Sequence, residues 1–305
     1  MKIFTQNVFQ RWSLEDKTVQ AVITSPPYYF LRFYNIPDIL IGGKTNCKHI
    51  FSISKHKAER RDDLPVEYEI GICSCCNCYK GQYGREITDF GYVEHTLLWI
   101  NEVYRVLKDE GLFFLNIGDT FRNGKKLFVP HRIALAMTDR GWIGLNDIIW
   151  AKAASPTPQE HVRRFSTTYE NIFMFAKTNN YYFDKDSIKT RIMTSKRSRA
   201  QAMKAFVGDA SEDDKRSIGV NPGDVWLMDS QASKINHDAP YGENLVERMI
   251  LSSTKPGDIV LDPFVGSGST VRIAEKYGRI GYGIDLGYDE VRDNRIGNIQ
   301  QVFIR

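Results

Sequence analysis

Two stretches of this chain carry groups that could do chemistry on a flat polar ring. The first, Thr24-Ser25-Pro26-Pro27-Tyr28-Tyr29, follows directly on the apolar run Val19-Gln20-Ala21-Val22-Ile23. That run reads as a buried strand, and the prolines end it because proline has no N–H to continue a ladder. A rigid loop therefore sits at a strand's carboxyl end, the edge where open α/β sheets bind ligands. It offers the Ser25 hydroxyl, the carbonyl of Pro26 and the aromatic faces of Tyr28 and Tyr29. Taken alone, the motif also fits a Pro-Pro turn with its tyrosines packed on a core.

The second stretch, Ile259-Val260-Leu261-Asp262-Pro263-Phe264-Val265-Gly266-Ser267-Gly268-Ser269-Thr270, is an apolar strand ending in an acid, then a Gly/Ser-rich turn. Helical periodicity begins after it, so backbone N–H groups at a helix start face a ligand. The turn lacks the Lys-Ser/Thr of a phosphate-binding P-loop and the spacing of GxGxxG, which argues against ATP and against NAD. Arg279-Ile280-Gly281-Tyr282-Gly283-Ile284-Asp285 then reads as a second strand ending in an acid, placed to accept from ribose hydroxyls. Strand, glycine turn, helix, strand and acid make one nucleoside-binding unit.

A third group of residues has metal-ligand chemistry. All five cysteines, Cys47, Cys73, Cys75, Cys76 and Cys78, fall close together, and without a secretory signal such a cluster reads as metal binding before disulfides. Cys47-x-His49 with Cys73-x-x-Cys76 suffices for one tetrahedral zinc, and Cys75-x-x-Cys78 is an alternative second pair.

The elements that must position these groups follow from periodicity. Residues 2–9 alternate weakly, as in an edge strand. Residues 30–90, with mixed charge and the cysteines, read as an irregular insertion over the site's edge, in which a zinc would replace the missing core. Apolar residues at Val93, Leu97, Ile100, Val103 and Leu107 predict a helix over 92–107. A buried strand over 111–118 then carries Asp119, which either orients the pocket or caps the next helix, 129–139. Strands 142–152 and 169–177 follow. The loop between them, Ser155 to Thr168, is proline-rich and basic, suited to phosphates, to the edge of a bound base or to plain solvation. Residues 181–220 are the least structured-looking, with Lys185, Lys189, Arg191, Lys196, Arg197, Arg199 and Lys204 among hydroxyls.

With 305 residues, 42% of them hydrophobic, the chain can build a sizeable core. Its net charge of +4 fits a polyanion partner without demanding one. No run of about 18 apolar residues exists to span a membrane, and Met1-Lys2-Ile3-Phe4-Thr5-Gln6 is neither a signal nor a transit peptide. A cytoplasmic protein is expected.

Together, the Ser-Pro-Pro-Tyr loop placed early and the Asp-Pro-Phe-x-Gly-Ser-Gly-x-Thr loop placed late resemble the beta-class, or permuted, amino-methyltransferases of DNA. The resemblance implies an α/β, Rossmann-like S-adenosylmethionine-dependent methyltransferase fold. Its mostly parallel seven-stranded sheet would have helices on both faces and be assembled from both ends of the chain. It divides the chain into a catalytic half at 1–180 with an insertion at 30–90, a target recognition region at 181–235 and a cofactor half at 236–305.

By the same resemblance, Ser25, Pro26, Pro27 and Tyr28 are catalytic, with Ser25 and the Pro26 carbonyl accepting from the amine and Tyr28 stacking on a flipped base. S-adenosylmethionine falls to Thr24, Asp262, Pro263, Phe264, Gly266, Ser267, Gly268, Ser269 and Asp285, with His237 leading the helix beside it. The family stretch Gly-Gln-x-Gly, here Gly81 to Gly84, selects Cys47, His49, Cys73 and Cys76 for one structural zinc. The family's Trp, Lys, Arg and Glu have counterparts in Trp150, Lys152, Arg163 and Glu170. Gln6-Asn7 departs from the Gly-Asp that family members carry there.

Serine before Pro-Pro favours N4 of cytosine in duplex DNA, with N6 of adenine as the alternative and a cognate restriction endonuclease as the implied partner. A cytosine C5 enzyme would need a Pro-Cys nucleophile, which is absent. An inactive DNA-binding protein and an RNA methyltransferase are the readings from other classes. No motif bears on the recognition sequence or the oligomeric state.

Overall fold

The computed structural model describes residues 1–31, 37–59, 65–152, 163–191, 219–228, 242–286 and 300–303. Nine strands form its central sheet: β1 (Lys2–Thr5), β2 (Val19–Thr24), β3 (Leu107–Ile117), β4 (Ile143–Ala151), β5 (Tyr169–Ala176), β6 (Val225–Leu227), β7 (Ile259–Asp262), β8 (Ile280–Asp285) and β9 (Gln300–Phe303). They lie in the order β6-β4-β5-β3-β2-β7-β8-β1-β9. Only β5 runs against its neighbours; every other pairing is parallel. The seven expected strands are the inner ones, and β6 and β9 add an edge on each side. The segment expected at an edge, β1, is instead paired on both sides, with Phe4 opposite Ile284 and Val302.

The apolar runs are continuous because both faces of the sheet are covered. Along β2, Val19 and Val22 enter one core and Ala21 and Ile23 the other; in β3, Phe113 and Leu115 alternate with Leu112 and Phe114 in the same way. Helices α1 (Asp89–Val106) and α2 (Val129–Thr138) cover the first face through Trp99, Ile100, Ile133 and Met137. Helices α3 (Glu243–Ser253) and α4 (Ser269–Lys276) cover the second through Val246, Met249, Ile273 and Ala274. Thr88 caps α1 by accepting from the Gly91 N–H at 3.0 Å. At α2 the cap is Asp119, which accepts from the N–H groups of Phe128 and Val129 at 3.0 and 3.2 Å. Of its two expected roles, helix capping is the one the structure gives it.

The insertion is not irregular. Strands Ile39–Ile41, Phe51–Glu59, Pro65–Cys73 and Tyr79–Gly81 form a four-stranded antiparallel sheet. Two of the strands have only three residues, too short for a period-2 signal to stand out. The small sheet is tied to the main core by Ile41, Ile70, Tyr79 and Tyr83.

The chain switches sides between β2 and β7, so their carboxyl ends open the crevice in which doubly wound sheets bind ligands. One carboxylate joins these two strands. Asp262 is 2% exposed and accepts from Thr24 Oγ1 at 2.7 Å, Thr270 Oγ1 at 2.7 Å and the Phe264 N–H at 3.0 Å. Replacing Asp262 by Ala would take this carboxylate acceptor from two buried hydroxyls and from the part-buried Phe264 N–H, at about 1–3 kcal/mol per buried donor. We expect Asp262→Ala to lose at least about 3 kcal/mol in urea unfolding, against a change within about 0.5 kcal/mol for the exposed Asp38→Ala.

Candidate active site

The loop after β2 is held at nearly every residue. Pro27 accepts at its carbonyl from Tyr92 OH at 2.7 Å. Phe30 N–H donates to the Gly84 carbonyl at 2.9 Å, bringing the Gly81-Gln82-Tyr83-Gly84 turn against the loop. Gly84 has φ +91, and a side chain there would press on the Tyr28 carbonyl at 3.2 Å. Of the two tyrosines expected to face a ligand, Tyr29 is buried, with its hydroxyl donating to the Glu86 carbonyl at 3.3 Å. Only Tyr28 remains at the crevice.

The Tyr28 hydroxyl is the hub of a polar cluster. It donates to Glu170 Oε2 at 2.7 Å, accepts from Asn116 Nδ2 at 2.8 Å and lies 3.0 Å from Ser25 Oγ. Asn116 Nδ2 also reaches Glu170 Oε2 at 3.1 Å and Ser25 Oγ at 3.4 Å. Lys152 donates to the other oxygen of Glu170. Hydroxyl counting then fixes the polarity of the cluster. Tyr28 has one proton and gives it to Glu170, so across the 3.0 Å contact Ser25 is the donor. A Ser25 hydroxyl turned toward Tyr28, with Asn116 Nδ2 donating to its oxygen at 3.4 Å, keeps one lone pair as an acceptor for an incoming N–H.

Two of the clustered residues, Lys152 and Glu170, match family counterparts in sequence, but the motif gives neither a role at the base. Asn116 belongs to no motif. Its one signal is its place in the strand reading: a polar residue near the end of an otherwise apolar run, facing the core that Ser25 borders. Arg163 is exposed on the loop before β5.

On the β7 side, the residues expected at the cofactor divide into two groups. Thr24 and Asp262 turn their side chains to each other and are buried, which makes them the joint between the two loops. Phe264 packs inward, 5.1 Å from the Trp99 ring centroid and 5.8 Å from that of Tyr83; Pro263 is buried. The turn itself opens outward. Gly266 has φ +46, and a Cβ there would meet nothing nearer than 3.8 Å. Ser267 and Ser269 hydroxyls lie 3.3 Å apart at the start of α4. Asp285, at the end of β8, accepts from the Gly266 N–H at 2.8 Å. An open glycine turn at a helix start beside an acid fits a nucleoside with a charged tail. His237 lies outside the described residues.

Cys47, His49, Cys73 and Cys76 come together with their ligand atoms within 4.8 Å of one another. Cys75 is exposed, and Cys78 is buried with its thiol directed at the Tyr79 carbonyl, so the alternative pair does not converge. Burial pushes the Cys47 thiol up to about 12, and its neighbours Cys76 and Cys73 add to the rise. Burial opposes ionisation of Cys73 as well, but hydrogen bonds from His49 and from the N–H groups of Cys75, Ile50 and Cys76 hold it down at about 5.

The profile of the N6/N4 DNA methylase family matches residues 19–294. The chain belongs to that family. The Type II methyltransferase M.BglII of Bacillus subtilis is 31% identical over 279 residues, covering 90% of this chain and 61% of its own length. The chain thus spans less than two thirds of that relative. The cytosine-N4-specific PvuII DNA methyltransferase superposes with a TM-score of 0.61 at 18% identity, over 94% of this chain and 82% of its own. The Thermus thermophilus protein TTHA0409, solved with S-adenosyl-L-methionine, gives 0.56 at 19% identity over 99% and 97%. The fold is the Rossmann-like one of S-adenosylmethionine-dependent DNA methyltransferases, with the motif order permuted as the sequence implied.

Tyr28 depends on a neighbour with no side chain. A Cβ on Gly118 would lie 2.8 Å from Tyr28 Cε2. Gly118→Ala must push the ring off the Ser25–Glu170 cluster, and overpacking of this kind costs about 1–3 kcal/mol. We expect that loss in urea unfolding, and no further loss when Gly118→Ala is added to Tyr28→Ala.

Proposed function

We propose that the chain transfers the methyl group of S-adenosylmethionine to the exocyclic N4 of cytosine in duplex DNA. The observation that carries this reading is the Ser25 hydroxyl, oriented by Tyr28, Asn116 and Glu170 so that its proton points at Tyr28 and one lone pair is left to accept. An exocyclic amine is a poor nucleophile because its lone pair is delocalised into the ring. Accepting its hydrogens draws the nitrogen toward sp³ and frees that pair. Ser25 supplies one acceptor and the Pro26 carbonyl the second. Tyr28 bears on the face of the flipped base, whose extrusion costs a few kcal/mol.

S-adenosylmethionine supplies an activated methyl on a sulfonium when bound. The chain holds it through the Gly266-Ser267-Gly268-Ser269 turn and Asp285. Positioning then supplies much of the rate, and no covalent enzyme intermediate is needed. The Type II name of its relative M.BglII supports pairing with a cognate restriction endonuclease, and the cytosine-N4 specificity of the PvuII enzyme supports cytosine.

The deciding assay incubates the protein with labelled S-adenosylmethionine and mixed-sequence duplex DNA, then identifies the labelled nucleoside. N4-methylcytosine is the expected product; N6-methyladenine would remove Ser25 as the selector of the base. Tyr28→Ala should abolish transfer while the cofactor's Kd changes by less than about twofold. Equal loss of both would remove the stacking role.

We also infer one structural zinc on Cys47, His49, Cys73 and Cys76. At a Zn–S distance of about 2.3 Å, a tetrahedron has S–S edges of about 3.8 Å and S–N edges of about 3.6 Å. The Cys47–Cys73 sulfurs lie 3.8 Å apart and His49 Nδ1 lies 3.4 Å from Cys76 Sγ. Elemental analysis of protein purified without chelator should give about one zinc per chain, and Cys73→Ser should lose it.

A further inference from the structure

Phe165 is the outlier of the surface. It is 98% exposed, whereas the next most exposed large apolar side chains among the described residues, Phe90, Ile50 and Leu135, reach 68%, 66% and 65%. An aromatic ring left wholly in water forgoes the stabilisation that even partial burial would bring, and no packing among the described residues accounts for an aromatic there.

Its surroundings are organised. The Arg164 guanidinium stacks on Phe121 with 3.5 Å to the ring centroid and also donates to the Phe165 carbonyl at 3.3 Å. Phe121 belongs to the two-stranded hairpin Phe121–Arg122 and Lys125–Lys126, turned by Asn123 and Gly124 at φ +51 and +74. Lys126 donates from that hairpin to Tyr169 OH at 3.2 Å. Residues 164–169 are thus pinned to the hairpin at both ends, with Phe165 between the pins. Lys125 of the hairpin and Arg163 and Arg164 of the loop are exposed, Asp119 is turned inward as the helix cap, and Arg122 ties the hairpin to the Tyr29 hydroxyl and the Ile87 carbonyl.

The loop leads straight into the catalytic cluster. Phe165 is five residues before Glu170, so its backbone lies at most about 17 Å from that of the residue holding the Tyr28 hydroxyl. A base extruded into the crevice leaves a gap one step high in its strand, about 3.4 Å, which a single aromatic ring can occupy. Apolar side chains that enter the stack are a recurrent device of proteins that distort the duplex, and aromatic stacking on bases tolerates any sequence.

We propose that Phe165 is the wedge of this enzyme: it enters the duplex at the target step and takes the place of the flipped base, while the basic hairpin and Arg163 hold the flanking phosphates. The inference rests on the proposed DNA methylation. It is a positioning role, since Phe165 stabilises the extruded state rather than touching the reacting nitrogen.

The test begins by sequencing DNA from cells that express the enzyme, which maps the modified site. If that DNA carries no modification, the proposed function falls and this inference with it. A synthetic duplex bearing the mapped site is then compared with one lacking the base opposite the target, where extrusion is already eased. Phe165→Ala should slow methylation of the matched duplex by at least about tenfold, leave the abasic-partner duplex within about twofold, and leave the melting temperature unchanged because the ring is exposed. Phe165→Trp should restore the matched-duplex rate relative to Phe165→Ala. A wild-type enzyme that modifies DNA while Phe165→Ala loses equally on both duplexes, or on neither, would overturn the wedge.

Discussion

The structure depends on one buried carboxylate. Asp262 receives Thr24 from a strand 238 residues earlier in the chain, Thr270 from the helix that follows, and the Phe264 N–H from its own turn. Inside a protein such a group is stable only when its acceptor sites are filled. Filling them brings the Ser-Pro-Pro-Tyr loop and the glycine turn to a common crevice. A permuted chain has no covalent connection to set that distance. The Asp262 joint, together with the parallel pairing of Val22 beside Leu261, does it instead.

Around that joint, rigidity falls on the Ser-Pro-Pro-Tyr side and openness on the glycine-turn side. The loop after β2 is clamped by Tyr92, Gly84 and the polar cluster of Asn116, Glu170 and Lys152. The proposed acceptor role calls for this, because any reorganisation during the reaction would add to the barrier. The glycine turn at Gly266 presents backbone to open space, as a loop that must admit a ligand does. The cysteine–histidine module supports the clamp from outside. Its last strand leads into the turn that carries Tyr83 and Gly84, and the Tyr83 ring stacks 5.1 Å from that of Tyr92.

Much of this was legible in the residues. Alternation and length placed the inner strands and the helices α1 and α2 within a few positions, because two-sided burial demands long apolar runs. The two loops announced themselves through proline and glycine, residues whose backbone limits leave few alternatives. The small sheet of the insertion was not legible, since its shortest strands have three residues and its core is shared with Trp99 and Tyr92 of another element.

The sequence by itself determined the fold class, the permuted motif order and the residue types at the site, because those follow from local backbone chemistry and burial pattern. Tertiary structure alone decided which side chains meet. Thr24 and Asp262, read as ligand contacts, bind each other, and Asn116 and Glu170, 54 residues apart, share the Tyr28 hydroxyl. Cys73 and Cys76 converge with Cys47 and His49 while Cys75 and Cys78 diverge. Contacts of this kind depend on strand order and side-chain direction, which spacing along one chain does not encode.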